Sequence, residues 1–333
     1  MKVSIITVTY NHEKFIAQAI EGSLMQETNF DYEILIGEDD SSDNTREICK
    51  QYAEKHPDKI RLFLNDRKNV IYINGQPTGR WNFINLLKNA KGKYIALCDG
   101  DDYWTDPHKL QKQVDFLEAN PDFVICHHNM KIIYENSKKQ SSLSNINQKS
   151  ISTMDDLLNG NFISAASCCF RNRLIKKIPS WHKNVMPGDW PLYILLTQYG
   201  KIKYLNEIMG VYRNHTNGIW SPKPKEYHLL CTIKMYNKIN KHLNFKYNNL
   251  IKLRLLNYNS SLAKIYWKNG NKKISIKLYF KSFFINPFIF LKKIFLKSIR
   301  NTIKNILKKI NLFNITKKFY SKISYQKNKQ KIW

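Results

Sequence analysis

Three aspartates fall within four positions at the end of an apolar run: Lys93-Tyr94-Ile95-Ala96-Leu97-Cys98 leads into Asp99-Gly100-Asp101-Asp102. Carboxylates this close repel one another unless something positive sits among them. An isolated Asp-x-Asp also suits a solvated turn or a helix N-cap, so what precedes it decides its meaning. Residues 94–98 are β-favouring and apolar on both faces, which predicts a central strand of a parallel sheet. The acids then stand at its carboxyl end, beside the crevice where open α/β sheets bind ligands. Oxygen donors there suit Mg²⁺ or Mn²⁺, ions commonly shared with substrate phosphates.

The elements that must position these acids are legible on either side. Val3 to Val8 predicts a first buried strand ending at Thr9-Tyr10-Asn11-His12, followed by a helix through Phe15, Ile16, Ala19, Ile20 and Leu24. Tyr32 to Ile36 is a second strand that stops at Glu38-Asp39-Asp40, with a helix over 46–55 behind it. A third strand is expected over 60–64, a polar loop over 65–79 and a helix over 80–89. Farther on come a helix from Asp106-Pro107 to Asn120, a strand over 123–127 and a polar loop over 135–150. A small-residue stretch over 161–170, a helix over 192–199 and a strand over 202–205 complete this part. Three strand tips therefore converge on one sheet edge, without the G-x-G-x-x-G or Walker sequence of a glycine-rich phosphate loop.

Val3-Ser4-Ile5-Ile6-Thr7-Val8-Thr9-Tyr10-Asn11, Glu38-Asp39-Asp40-Ser41-Ser42-Asp43-Asn44-Thr45, and Ala90-Lys91-Gly92-Lys93-Tyr94-Ile95-Ala96 running into Asp99-Gly100-Asp101-Asp102 resemble the family 2 glycosyltransferases of the GT-A fold. The resemblance covers residues 1–222. It implies an α/β, Rossmann-like and mostly parallel sheet flanked by helices, with a nucleotide-binding half (1–125) and an acceptor half (126–222). It places Thr9, Tyr10 and Asp39 around the base of a nucleotide-sugar donor. It places Asp99 on the ribose and on the metal with Asp101, Asp102 beside them, and His215 late in the metal shell. Glu38, Asp39 and Asp40 stand where the family usually has two aspartates and a glycine, so the base contact falls to Asp39 or Asp40. Asp189, in Met186-Pro187-Gly188-Asp189-Trp190, needs no more explanation than a helix N-cap, yet sugar transfer to a hydroxyl requires a carboxylate to take its proton. The resemblance puts the catalytic base there. Arg213 offers a planar fork for a phosphate, with a plain surface loop as the competing reading for it and His215. The adjacent His127 and His128 point to opposite faces of their strand and read as structural.

Charge divides the chain differently. Of 54 Lys/Arg, 27 lie in 223–333 against a single acid there, Glu226, while 1–222 is nearly balanced, so almost all of the +28 net charge is in the last third. Helical patterns recur in this region: a hairpin broken at Asn269-Gly270, then an amphipathic run over 291–310 with lysines opposite Ile, Leu and Phe. Such a face predicts docking on an anionic membrane surface. Aromatics within the helical stripes, and no recognised nucleic-acid module, weigh against nucleic acid.

No run approaches the ~20 apolar residues of a bilayer span, and the N-terminus lacks a signal-peptide pattern. Six cysteines without C-x-x-C spacing read as reduced thiols. Together these expect a cytoplasmic enzyme, peripheral on the inner face of the plasma membrane. The expected reaction is inverting transfer to a glycan or lipid-linked acceptor in surface polysaccharide assembly. A sugar-phosphate nucleotidyltransferase would use similar acids but want a basic, Gly-rich first turn, which Thr9 to His12 lacks. A nucleic-acid-binding protein acting through the basic region is the other alternative.

Overall fold

The computed structural model describes residues 1–291 apart from Asn136 and Lys176. The chain divides into two compact units, Met1–Ile251 and Lys252–Trp333. The strands of the first are β1 (Val3–Thr9), β2 (Tyr32–Glu38), β3 (Ile60–Leu64), β4 (Ile71–Ile73), β5 (Gln76–Thr78), β6 (Tyr94–Leu97), β7 (Tyr103–Trp104), β8 (Phe123–Tyr134), β9 (Ser142–Leu143), β10 (Ile151–Ser152), β11 (Cys169–Arg171) and β12 (Lys201–Asn214). Its helices are α1 (Ile16–Leu24), α2 (Thr45–Lys55), α3 (Arg80–Asn89), α4 (Lys109–Ala119), α5 (Met154–Asn159), α6 (Asp189–Leu196) and α7 (Lys225–His242).

The main sheet runs β10-β12-β8-β11-β6-β1-β2-β3, with β7 on β12 and β9 on β8. β3, β2, β1 and β6 are parallel neighbours. The short β11 is antiparallel between β6 and β8, and β8 and β12 run parallel to each other. All four residues of β6 are buried, as expected of a strand covered on both faces. One face packs Ile16, Ala19 and Ile20 of α1 and Leu110, Val114 and Leu117 of α4 over Ile5, Ile34, Tyr94 and Ala96.

Three segments differ from their sequence reading. The expected loop over 65–79 contains a β4–β5 hairpin whose turn, Asn74-Gly75, has positive φ at both residues (51° and 75°); Asn-Gly favours that turn because it tolerates the left-handed region. The stretch 135–150 carries β9, anchored by Asn145, whose backbone N–H donates to Asn129 Oδ1 at 3.0 Å. β8 and β12 are far longer than the apolar runs that foretold them. Register shifts between Leu205 and Ile208 and between Ile208 and Val211 interrupt the alternation that would have revealed β12.

His127 and His128 are fully buried. His127 packs between Phe162 and Tyr204 at 5.5 and 5.0 Å, and burial pushes it down to about 3, so it is neutral structure. All six cysteines are free and buried.

In the second unit the hairpin is formed by α8, which enters from the first unit (Asn248–Lys268), and α9 (Lys272–Ile285). Gly270 turns the chain with φ +82°, and Asn271 caps α9 by accepting from Ile274 N at 3.3 Å. Ser275 Oγ donates to the Ala263 carbonyl at 2.7 Å, binding the two helices. Phe280, Phe284 and Phe288 are exposed among Lys273, Lys277 and Lys281. The amphipathic run expected over 291–310 lies, beyond Leu291, outside the described residues. No helix among the described residues is long and apolar enough to cross a membrane.

Candidate active site

Parallel register brings the strand tips together. Thr9 stands opposite Glu38 and Ile6 opposite Leu97. Beyond those pairs the chain stays tied: Asp39 N donates to the Thr9 carbonyl at 3.1 Å and Gly100 N to the Val8 carbonyl at 3.0 Å. Gly100 must be glycine, because a Cβ there would lie 2.5 Å from Thr9 Oγ1 and 2.9 Å from His12 Nδ1.

At this junction Asp101 Oδ2 lies 3.0 Å from His215 Nε2 and 4.0 Å from His12 Nε2. One ligand atom from each of these three residues falls within a 4.8 Å span, the geometry of a metal-binding group. His12 Nδ1 is 3.2 Å from Thr9 Oγ1, which orients the ring and leaves Nε2 for an ion. Burial pushes the Asp101 carboxyl up, but the His215 hydrogen bond and the charges of His12 and His215 outweigh it and hold it below the usual range. Asp99, half-buried beside it, is pushed up to about 7 by burial and by the Asp101 and Asp189 charges.

Asp102 is turned away from this group. It is 2% exposed, its Oδ1 accepts from Arg213 N at 2.9 Å, and burial with Asp101 nearby raises its carboxyl well above the ordinary value. Arg213 in turn donates from Nη1 to the Asp101 carbonyl at 2.8 Å and from Nη2 to Gln18, and its Nε lies 3.6 Å from Glu135. Its guanidinium lies over the rings of Tyr103 and Phe15, at 4.4 and 5.0 Å. The fork is thus engaged with protein, fastening the acidic turn to β12.

At the tip of β2 Asp39 is 5% exposed, and its Oδ1 accepts from Asn65 Nδ2 at 3.0 Å. Burial raises it to about 6, against the opposing pull of Asn65 and Arg67. Arg67 stacks on the Tyr10 ring at 4.0 Å and donates to the Asp39 carbonyl at 3.3 Å. Asp40 instead pairs outward with Arg46 at 3.2 Å, and Glu38 is held by the same arginine and by Ser41 N. Of the two candidates, Asp39 is buried against Asn65, and Asp40 is paired with Arg46.

Asp189 opens α6 and is half-buried. Burial raises its carboxyl, while Arg80 and a 3.4 Å contact from Asn161 Nδ2 work the other way. Its charge is among those that raise Asp99. The structure thus joins Asp101 and His215 directly, Thr9 to them through His12 and Asp102 through Arg213, with Tyr10 next to Thr9 and Asp39 at the tip of the neighbouring β2. His12, Asn65 and Arg67 escaped the sequence reading. His12 lay in the turn after β1, and its place at a converging strand end was the available signal.

Residues 4–179 match the family model described as "Glycosyl transferase family 2". An uncharacterized protein of Mycobacterium tuberculosis, Rv1520, is 38% identical over 219 residues, which is 66% of this chain and 60% of that one; the chain thus spans less than two thirds of that relative. The glucosyltransferase WfgD of Escherichia coli, named for transfer from UDP-Glc to GlcNAc-diphosphoundecaprenol, is 34% identical over 40% of this chain and 48% of its own. Among solved structures, residues 1–349 of Staphylococcus aureus TarS with UDP-GlcNAc superpose with TM-score 0.51 at 15% identity, covering 84% of this chain and 90% of that one. A Pyrobaculum calidifontis mannosyltransferase with GDP-Man and Mn²⁺ gives TM-score 0.51 at 12% identity over 84% and 74%. At such identities the likeness is one of fold.

Proposed function

Because the chain belongs to glycosyl transferase family 2, we propose that it is an inverting, metal-dependent glycosyltransferase that moves a sugar from a nucleoside-diphosphate sugar to a hydroxyl of a glycan or lipid-linked acceptor. The observation that carries this reading is the group of Asp101, His12 and His215, which follow β6, β1 and β12, with Asp39 at the tip of β2 beside β1. One carboxylate oxygen and two imidazole nitrogens fit a divalent cation, and a set of mixed donors favours Mn²⁺ over Mg²⁺, which prefers oxygen alone. A cation held there would neutralise charge developing on the departing diphosphate.

The chain's own residues supply the rest. Ionised Asp39 accepts a hydrogen bond from an N–H edge of the base, with Tyr10, stiffened by Arg67, beside it. Asp99, two residues before Asp101, would meet a ribose hydroxyl or the same cation. Arg213 and Asp102 hold the acidic turn in place. Asp189 takes the acceptor hydroxyl's proton as the oxygen attacks the anomeric carbon from the side opposite the diphosphate, which inverts configuration. Burial raises this carboxyl, making it a better base than a solvated one.

Residues 1–222 would carry catalysis and 223–333 would dock on the anionic inner face of the plasma membrane. Exposed Phe280 and Phe284 interleaved with lysines support that docking, as does the WfgD relative's lipid-linked acceptor. The test is a thermal-shift screen of UDP- and GDP-sugars with and without Mn²⁺. One donor should raise Tm in a Mn²⁺-dependent way; no shift with any donor rejects the reading.

A further inference from the structure

The turn that carries Asp189 is held by a buried arginine that the chemistry above leaves unused. Arg80 opens α3 and is 5% exposed. Its Nη2 donates to the Val185 carbonyl at 2.9 Å and lies 3.8 Å from the Met186 sulfur. Nη1 is 3.0 Å from His182 Nδ1. His182, itself fully buried, continues from Nε2 to the Gly188 carbonyl at 2.9 Å. Burial and the adjacent guanidinium push this imidazole down to about 3, so it is neutral. The tautomer that satisfies both contacts has Nε2–H donating to Gly188 and Nδ1 accepting from Arg80. One guanidinium thus grips the segment 185–188 at both ends, directly at Val185 and through His182 at Gly188.

Two further facts set this arginine apart from a packing residue. Gly188 lies against it so closely that a Cβ would fall 2.6 Å from Nη2. A buried cation also costs several kcal/mol unless an anion compensates it, and an apolar side chain would fill the same space without that cost. The acid whose charge acts on Arg80 is Asp189.

We propose that Arg80 is a positioning residue for Asp189, fixing the turn that aims the carboxylate. This rests on Asp189 being the base. Asn161 Nδ2, ahead of β11, lies 3.4 Å from the Asp189 carboxylate; Arg80 is the positive charge that draws that carboxyl down against burial, and the Asp189 charge in turn acts on Asp99, Tyr193 and Tyr212.

The experiment uses the full chain with ¹³C-labelled aspartate carboxyls, the Asp189 signal being identified by its loss in Asp189→Asn. In Arg80→Met the Asp189 titration should move to higher pH, because the positive charge that draws it down is gone. Amides of 185–189 should exchange about tenfold faster or more as the clamp opens. Arg80→Lys should restore the titration but not the protection, since the charge returns without the fork. A folded Arg80→Met with unchanged titration and exchange overturns the proposal. Should that variant not fold, Gly188→Ala pushes the guanidinium aside with the charge retained, and it must move both readouts; no movement overturns the proposal equally. Turnover of Asp189→Asn reads the base assignment separately: full activity there removes the base and leaves the clamp to be judged by exchange alone.

Discussion

Asp101 Oδ2 and His215 Nε2 meet at 3.0 Å although 114 residues separate them in the chain. The contact joins the end of the nucleotide-side sheet to the end of β12, and around it the cation and the diphosphate would be held.

His12 is the third member of that group. Replacing one of three ligands should weaken Mn²⁺ binding at least tenfold, so His12→Gln, whose size is similar but whose amide is a poorer donor, should show that loss by calorimetry. Asp101→Ala should abolish binding altogether. Wild-type Mn²⁺ affinity in both variants would place the ion elsewhere.

Asp39 makes a prediction in two directions. Its carboxyl titrates near 6, above the 3.8 of a free aspartate, so its ionised form costs stability that is regained below about 4 and lost as pH rises through 6. Asp39→Asn should therefore melt higher at pH 7.5, by up to about 2–3 kcal/mol. The same change removes the acceptor for the base, so donor binding should fall at least tenfold. In the wild type donor affinity should decline as pH drops through 6, and the variant should show no such limb. A lower melting temperature for Asp39→Asn would contradict the buried-charge account.

Asp189→Asn keeps the shape of the α6 N-terminus and removes the proton acceptor. Turnover should drop by about 10² to 10⁴ with donor affinity retained. Normal turnover, measured as acceptor-dependent release of nucleoside diphosphate, would assign the proton to another group.

Membrane docking is checked by flotation. Each lysine near an anionic surface contributes about 1 kcal/mol, so a chain lacking residues 285–333 should leave vesicles containing phosphatidylglycerol that the full chain binds. High salt should release the full chain as well. Continued flotation of the shortened chain would move the anchor to 1–284.

How much of this was legible follows from where side-chain periodicity carries information. β1, β2 and β6 announced themselves because they are buried on both faces, and their tips, acidic at β2 and β6, had to share an edge once the strands were parallel. The acidic clusters could be located from that, and the family resemblance singled out Asp99, Asp101 and, with Asp40 as its rival, Asp39. His12 could not, since a lone histidine in a polar turn has no pattern; only the register of β1 against β6 and the return of β12 place it beside Asp101. Arg80 was read only as the start of a helix. Its role depends on the fold of 185–188, which nothing local in α3 encodes. The Asn74-Gly75 hairpin was readable from its turn residues and was missed because the flanking strands are three residues each.

The tie between Asp102 and Arg213, with Asp101 gripped by the same arginine, has a consequence for how the enzyme matures. During synthesis the first half emerges with His12 and Asp101 but without His215, and with an acidic turn that β12 has yet to fasten. Loading with a cation at this group, and the stabilisation that binding would add to the folded state, would wait until β12 has docked. An unfinished chain would thereby be kept from holding the proposed donor before it could pass the sugar on.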